Sequence, residues 1–214
     1  MRTPSSAIIA AAFIVAACAP ILPPSSPSSP LPETPAESPS PGGIWSAVES
    51  VGDEDIAWLR ATGLLLPVRG VQLAKVQESF DAPRDGGRRH DAVDIMAPRG
   101  TPILAAIAGT VLRVGANALG GNVIWMADRE DRFVFYYAHL ERYARGVRQG
   151  DHIARGTVIG YVGTTGNAPP DVPHLHFQVM RITDTKRWWN GTPVNPLAFL
   201  IEDGSTRVAA TPRR

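Results

Sequence analysis

The chain has 214 residues, 44% of them hydrophobic, enough for one domain with a real core plus appendages and too few for two full domains. Its formal charge is +1, and Arg2 is the one charged side chain among residues 1–17, so the remainder is neutral and ill suited to non-specific nucleic-acid binding. A single cysteine, Cys18, excludes an intramolecular disulfide and any cysteine-based metal cluster.

Met1 and Arg2 precede an uninterrupted apolar run, Ala7 to Ala17. As a helix that run spans about 16 Å, roughly half a bilayer, which predicts a signal-peptide core rather than a spanning helix. The tail Val15-Ala16-Ala17-Cys18 resembles the lipobox of bacterial lipoproteins, in which the cysteine is lipidated and becomes the mature N-terminus. Ordinary secretion with cleavage near Ala17 or Ala19 is the alternative, and the position of the lone cysteine favours the lipoprotein. A multiply acylated cysteine holds stably to a membrane where a single chain does not.

Residues 18–43 follow as a Pro/Ser-rich tether, with nine of the 20 prolines between Ala19 and Gly43. Such a stretch cannot bury a core, and as polyproline-like chain it reaches roughly 70 Å from the membrane. Residues 44–66 read as a short helical segment. Ser46-x-x-Glu49 has capping-box spacing, Asp53-Glu54-Asp55 places acids at a helix start, and Gly63 is a stop.

From Pro67 the pattern changes to short β-prone runs separated by Gly, Asp, Asn and Pro: Ile103–Ala106, Gly109–Val114, Asn122–Ala127, Phe133–Leu140, Thr157–Val162 and Leu175–Ile182. No long amphipathic helix interrupts them, so residues 67–201 are predicted to form one mainly β, antiparallel domain, a compact sheet or sandwich preceded by short helices. Residues 202–214 read as a flexible tail.

Four of the five histidines stand in contexts that suit chemistry. His90-x-x-x-Asp94 offers a nitrogen and a carboxylate donor acceptable to zinc, or a surface ion pair of Asp94 with Arg88 or Arg89. On a straight strand their Cα atoms would stand about 13 Å apart, so a shared ion requires a bend, and Asp85-Gly86-Gly87 supplies a turn upstream. In His174-Leu175-His176 a strand sends both imidazoles to one face and Leu175 and Phe177 to the other. Two solvent-facing histidines on an edge strand would give the same triplet. His139 ends the run Phe133–Leu140 on the parity of Phe135 and Tyr137. His152 follows a turn and has no ligand partner at suitable spacing beyond adjacent Asp151. Tyr137, Trp188 and Trp189 are candidates either for groove walls or for core packing.

Five ordered blocks carry a wider resemblance: Arg88-Arg89-His90-Asp91-Ala92-Val93-Asp94-Ile95, Ala97-Pro98-Arg99-Gly100-Thr101-Pro102, Tyr137-Ala138-His139-Leu140, Gly160-Tyr161-Val162-Gly163-Thr164-Thr165-Gly166-Asn167 and Pro173-His174-Leu175-His176-Phe177. Over about Pro67 to Leu200 the chain resembles the lysostaphin-type, or LytM-type, zinc peptidases that act on bacterial peptidoglycan. The resemblance implies one zinc ion held by His90, Asp94 and His176, with His139 and His174 in catalysis. It further implies an endopeptidase that cuts stem-peptide cross-links with zinc-activated water as nucleophile; His174 is read as general base and His139 as the assisting group, two roles that the sequence leaves free to exchange. Together with the N-terminal signals it predicts a periplasmic lipoprotein anchored to the membrane, the outer one if the cell is Gram-negative, with peptidoglycan and cell-wall hydrolase or division proteins as partners and the membrane met only through the lipid.

The chain departs from the family pattern at Ala92, where glycine is usual, at Gln178, where glutamate is common, and in the segment Asn167 to Pro173 leading to His174. Regulatory relatives that lack activity typically lose a zinc or catalytic residue. All five are retained here.

Overall fold

The computed structural model describes residues 51–202. The signal run, Cys18, the tether, the Ser46–Glu49 pair and the tail beyond Glu202 lie outside the described residues. Helix α1 (Asp53–Thr62) carries Asp53, Glu54 and Asp55 in its first turn, where the positive end of the helix dipole favours them. It stops at Gly63, whose φ of 58° is left-handed and whose N–H returns to Leu59 O at 2.9 Å. The start and stop expected from the sequence are both present.

The strands follow as β1 (Leu64–Leu65), β2 (Pro83–Arg84), β3 (Arg88–Arg89), β4 (Val93–Met96), β5 (Pro102–Leu104), β6 (Gly109–Asn117), β7 (Gly121–Asp128), β8 (Phe133–Tyr143), β9 (His152–Ile153), β10 (Val158–Val162), β11 (His174–Arg181), β12 (Thr192–Val194) and β13 (Leu200–Ile201). Nine of them form one sheet in the order β12-β11-β8-β7-β6-β9, with β4 added to β11, and β10 joining β8 to β5. All these pairings are antiparallel, and β1 with β13 is the one parallel pair among the described residues. β2 and β3 make a separate hairpin, and its position matters for the site. Among the described residues no helix is long and apolar enough to cross a membrane.

Every residue of β8 from Phe133 to Leu140 is buried, because both faces of the sheet are covered there. Phe133, Phe135 and Tyr137 enter the main core with Ile95, Ile103, Ile124, Leu175 and Phe177, while Val134, Tyr136 and Ala138 pack on the opposite face. Leu59 of α1 and Leu64 of β1 are fully buried in that same main core. Asp55 ties the helix down by accepting from Arg132 Nη2 at 3.0 Å and Arg181 Nε at 2.8 Å. Burial alone would raise the Asp55 carboxyl, but these two guanidinium partners outweigh it and hold the group below its ordinary range.

Candidate functional site

The antiparallel register of β4 and β11 sets Leu175 opposite Ile95, His174 opposite Met96 and His176 opposite Asp94. Ile95, Leu175 and Phe177 are fully buried in the core. The alternation of a strand therefore sends Asp94, His174 and His176 out through the other face, as the H-x-H spacing predicts. On its second edge His176 pairs with Ala138 of β8, so the imidazole stands over the middle of the sheet rather than at a rim.

His90 arrives from outside the sheet. His90 N–H donates to Ala82 O at 3.0 Å and Asp91 N–H to Phe80 O at 2.9 Å, and Asp91 then takes a left-handed φ of 55°. That turn is the bend the spacing required, and it brings His90 Nε2 to 2.9 Å from Asp94 Oδ1. Gly86 and Gly87, at φ 74° and 73°, make the turn upstream that the sequence marks. Ala92 is fully buried and is not among the residues at positive φ, so its methyl needs no glycine. Ser79 steadies both groups: its carbonyl accepts from His90 Nδ1 at 2.8 Å and its hydroxyl accepts from Asp94 N–H at 3.1 Å.

Three donor atoms thereby converge. His90 Nε2 lies 2.9 Å from His176 Nδ1, and Asp94 Oδ1 lies 2.9 Å from the former and 3.2 Å from the latter. A tetrahedral zinc with ligands at about 2.0 Å has donor-to-donor edges of about 3.3 Å, so the triad forms one slightly contracted face of such a tetrahedron. Two imidazoles and one carboxylate also match the donor chemistry that zinc accepts. The Nδ1–H of His90 is committed to Ser79 O, which leaves Nε2 as the lone pair that faces the triad. Burial alone would raise the Asp94 carboxyl, but the bonds from His176 and His90 outweigh it and hold the group well below the usual carboxylate range. Burial pushes the His176 imidazole down, against the attraction of Asp94.

His139 and His174 complete the cluster. Their ring centroids are 4.9 Å apart, and His139 is 5.7 Å from His176. His174 Nδ1 donates to Val172 O at 2.8 Å and His139 Nδ1 to Thr165 O at 2.8 Å. A ring nitrogen facing a carbonyl must carry the proton, so each ring has its Nε2 left as an acceptor. Burial pushes the His139 imidazole down to about 4.

The parity of His139 differs from the sequence expectation. Asn122 pairs with Leu140 but Ile124 pairs with Tyr137, so β8 gains one residue over β7 at this point. His139 sits in that bulge with φ 62°. Parity alone would bury it beside Phe135 and Tyr137. Instead Leu140 takes the core position and His139 turns to the face that carries Asp94 and His176.

Other candidates fall elsewhere. Tyr137 is fully buried and accepts from Ala106 N–H at 3.0 Å, so it belongs to the core rather than a groove wall. Trp188 packs edge-on to Trp125 with centroids 5.2 Å apart, and Trp189 next to it is exposed. His152 is exposed on β9, with Nδ1 3.0 Å from Thr110 Oγ1, and takes no part in the cluster. Asp94 makes an ion pair with Arg84, whose Nη2 lies 2.5 Å from Oδ2. Arg89 pairs with Asp91 at 2.8 Å and Asp81 at 3.4 Å. Arg99 joins three parts of the rim, donating to Glu141, to Thr164 Oγ1 at 2.6 Å and to Pro170 O at 3.2 Å. Neither Arg84 nor Arg99 is singled out by sequence reasoning, since their partners lie on other elements, Asp94 on β4 and Glu141 on β8 among them.

Residues 88–196 match Peptidase family M23. The chain is 33% identical over 126 residues to lysostaphin of Staphylococcus simulans, covering 58% of this chain and 24% of that protein. It is 37% identical over 122 residues to the uncharacterized lipoprotein YgeR of Escherichia coli, covering 56% of this chain and 42% of that protein. The structure of Csd3 from Helicobacter pylori superposes with a TM-score of 0.50 at 30% identity, over 64% of this chain and 34% of that one. The chain thus spans less than half the length of the curated relatives it matches.

Proposed function

The chain belongs to Peptidase family M23, a family of zinc metallopeptidases, and from that premise we propose that it is an exported, lipid-anchored endopeptidase that cuts peptide cross-links of bacterial peptidoglycan. The observation that carries the reading is the convergence of His90 Nε2, Asp94 Oδ1 and His176 Nδ1 within 3.2 Å of one another, beside two further imidazoles. Those three atoms would hold the zinc. When bound, the ion supplies Lewis acidity and lowers the pKa of water in its open position towards about 7.

The chain's own residues divide the proton work. His174, pinned through Nδ1 to Val172 O, presents Nε2 as the base that takes a proton from the attacking water. His139, pinned to Thr165 O and pushed down to about 4, is a weak base and, once protonated, a strong acid. Neutral near pH 7 with Nε2 unprotonated, it assists by accepting from the attacking water and orienting it, and the proton that His174 takes from that water is the one handed on to the leaving amine. The carbonyls of Ser79, Thr165 and Val172 keep the three rings from turning, so the cluster is ordered before substrate arrives.

Anchoring rests on the apolar run Ala7–Ala17 and on Cys18, and the likeness to a lipoprotein supports it. The proline-rich residues 18–43 then serve as the tether to a wall that lies away from the bilayer.

The full-length chain, incubated with cross-linked peptidoglycan, is expected to release uncross-linked products readable by mass spectrometry, whereas His176→Ala and a chelated sample release none. Equal product from all three samples would refute the zinc-peptidase reading. Absence of product from a zinc-loaded wild type would turn it towards a regulator of another hydrolase.

A further inference from the structure

We infer that Arg84 is a positioning residue that keeps Asp94 engaged with the ion through one oxygen only. The inference rests on the metal-site reading above and goes beyond it, because Arg84 lies outside the residues 88–196 matched by the family. The two oxygens of Asp94 have separate company. Oδ1 faces inward, 2.9 Å from His90 Nε2, 3.2 Å from His176 Nδ1 and 3.8 Å from His174 Nε2. Oδ2 faces outward and accepts from Arg84 Nη2 at 2.5 Å. A charged donor on Oδ2 makes a charge-assisted bond, and it opposes the rotation of the carboxylate that would bring both oxygens to the metal.

The backbone delivers Arg84 and His90 together. β2 and β3 pair Arg84 with Arg88 and Pro83 with Arg89, and the ladder continues as His90 N–H to Ala82 O and Asp91 N–H to Phe80 O. The hairpin that sets the first imidazole therefore also sets the guanidinium on the outer oxygen. Gly86 and Gly87, both at positive φ, make the hairpin turn tight enough for this.

Charge and positioning predict opposite results on removal. A guanidinium next to a dication repels it, so a role through charge alone would make zinc binding tighter when Arg84 is lost. Positioning makes it weaker. It also has a chemical consequence: an aspartate held to one oxygen leaves the remaining coordination positions for water and the substrate carbonyl.

The test compares the full-length wild type with Arg84→Met and Arg84→Lys, by zinc competition against a chromophoric chelator and by X-ray absorption of the zinc-loaded chain. Arg84→Met is expected to bind zinc about 10–100-fold more weakly and to show one additional oxygen in the metal's first shell. Arg84→Lys, whose ammonium can still reach Oδ2, is expected to recover most of the affinity and the original shell. Unchanged or tighter binding by Arg84→Met, or an unchanged shell, would overturn the inference. Arg84→Ala, read in the same way, guards against a folding defect peculiar to the methionine. Both readouts are independent of wall hydrolysis, so a wild type that binds zinc without cutting peptidoglycan refutes the proposed function alone. A wild type that binds no zinc refutes both.

Discussion

Gly163 offers a sharp test of how the catalytic face is held together. A Cβ placed there would stand 2.3 Å from Glu141 N, 2.6 Å from Glu141 Cα and 2.9 Å from Glu141 Cβ, a contact with backbone that no rotamer relieves. To reach even 3.0 Å from that nitrogen, the strand after His139 and the loop before His174 must part by about 0.7 Å, worked from the same contact. Gly163 O accepts from His174 N–H at 3.3 Å, and Thr165 two residues on holds His139 Nδ1, so the separation falls on both imidazoles. Overpacking of this kind costs about 1–3 kcal/mol, and a misplacement approaching 1 Å costs up to about 100-fold in rate. Gly163→Ala is therefore expected to lower kcat by about 10–100-fold and Tm by roughly 2–12 °C, while zinc content stays at the wild-type level because no triad residue touches Gly163 O. Steady-state cleavage of a cross-linked stem-peptide dimer, calorimetry and metal analysis read the three quantities. A variant with wild-type kcat and Tm would refute the reasoning.

Further outcomes follow from single side chains. His174→Ala is expected to lower kcat by about 100–10,000-fold with zinc retained; loss of zinc in proportion to activity would reassign His174 to the metal. Tyr137→Phe leaves the buried Ala106 N–H without its acceptor and is expected to cost about 1–3 kcal/mol in denaturant unfolding, with an unchanged curve as the contrary result. The pH dependence of stability in zinc-free protein has a definite sign. Burial pushes His139 down to about 4 when folded, against about 6.5 when unfolded, so the unfolded chain takes up the proton first as pH falls. That stabilisation is complete above about pH 6.5 and is lost towards pH 4, amounting to about 3 kcal/mol. Denaturation of wild type and His139→Gln at pH 7 and pH 4.5 should show a smaller loss in the variant. Some loss remains there because burial pushes His176 in the same direction, and equal losses would contradict the assignment.

Much of the site is legible in the sequence because its H-x-H triplet obeys strand periodicity and its H-x-x-x-D pair can meet only by breaking it. His174 and His176 share a face since Leu175 and Phe177 fill the core, and that follows from alternation alone. The bend between His90 and Asp94 is also legible, since a straight strand would keep the pair apart, although its location at Asp91 is not: nothing local marks a left-handed aspartate. His139 escapes periodicity altogether. One extra residue in β8 opposite Val123 reverses its face, and a bulge of this kind depends on the partner strand rather than on the local run. Arg84 is silent for a related reason. Its partner is ten residues away across a hairpin, and only the turn at Gly86 and Gly87 brings the two together.

The central claim is that His90, Asp94 and His176 hold a catalytic zinc. Anomalous diffraction at the zinc edge, from crystals of the zinc-loaded full-length chain, tests it most directly. The expected result is a peak bonded to His90 Nε2, Asp94 Oδ1 and His176 Nδ1, with the Nε2 atoms of His139 and His174 facing its open side. A peak coordinated by other residues, or density that binds His139 or His174 in place of one of the three, would contradict it.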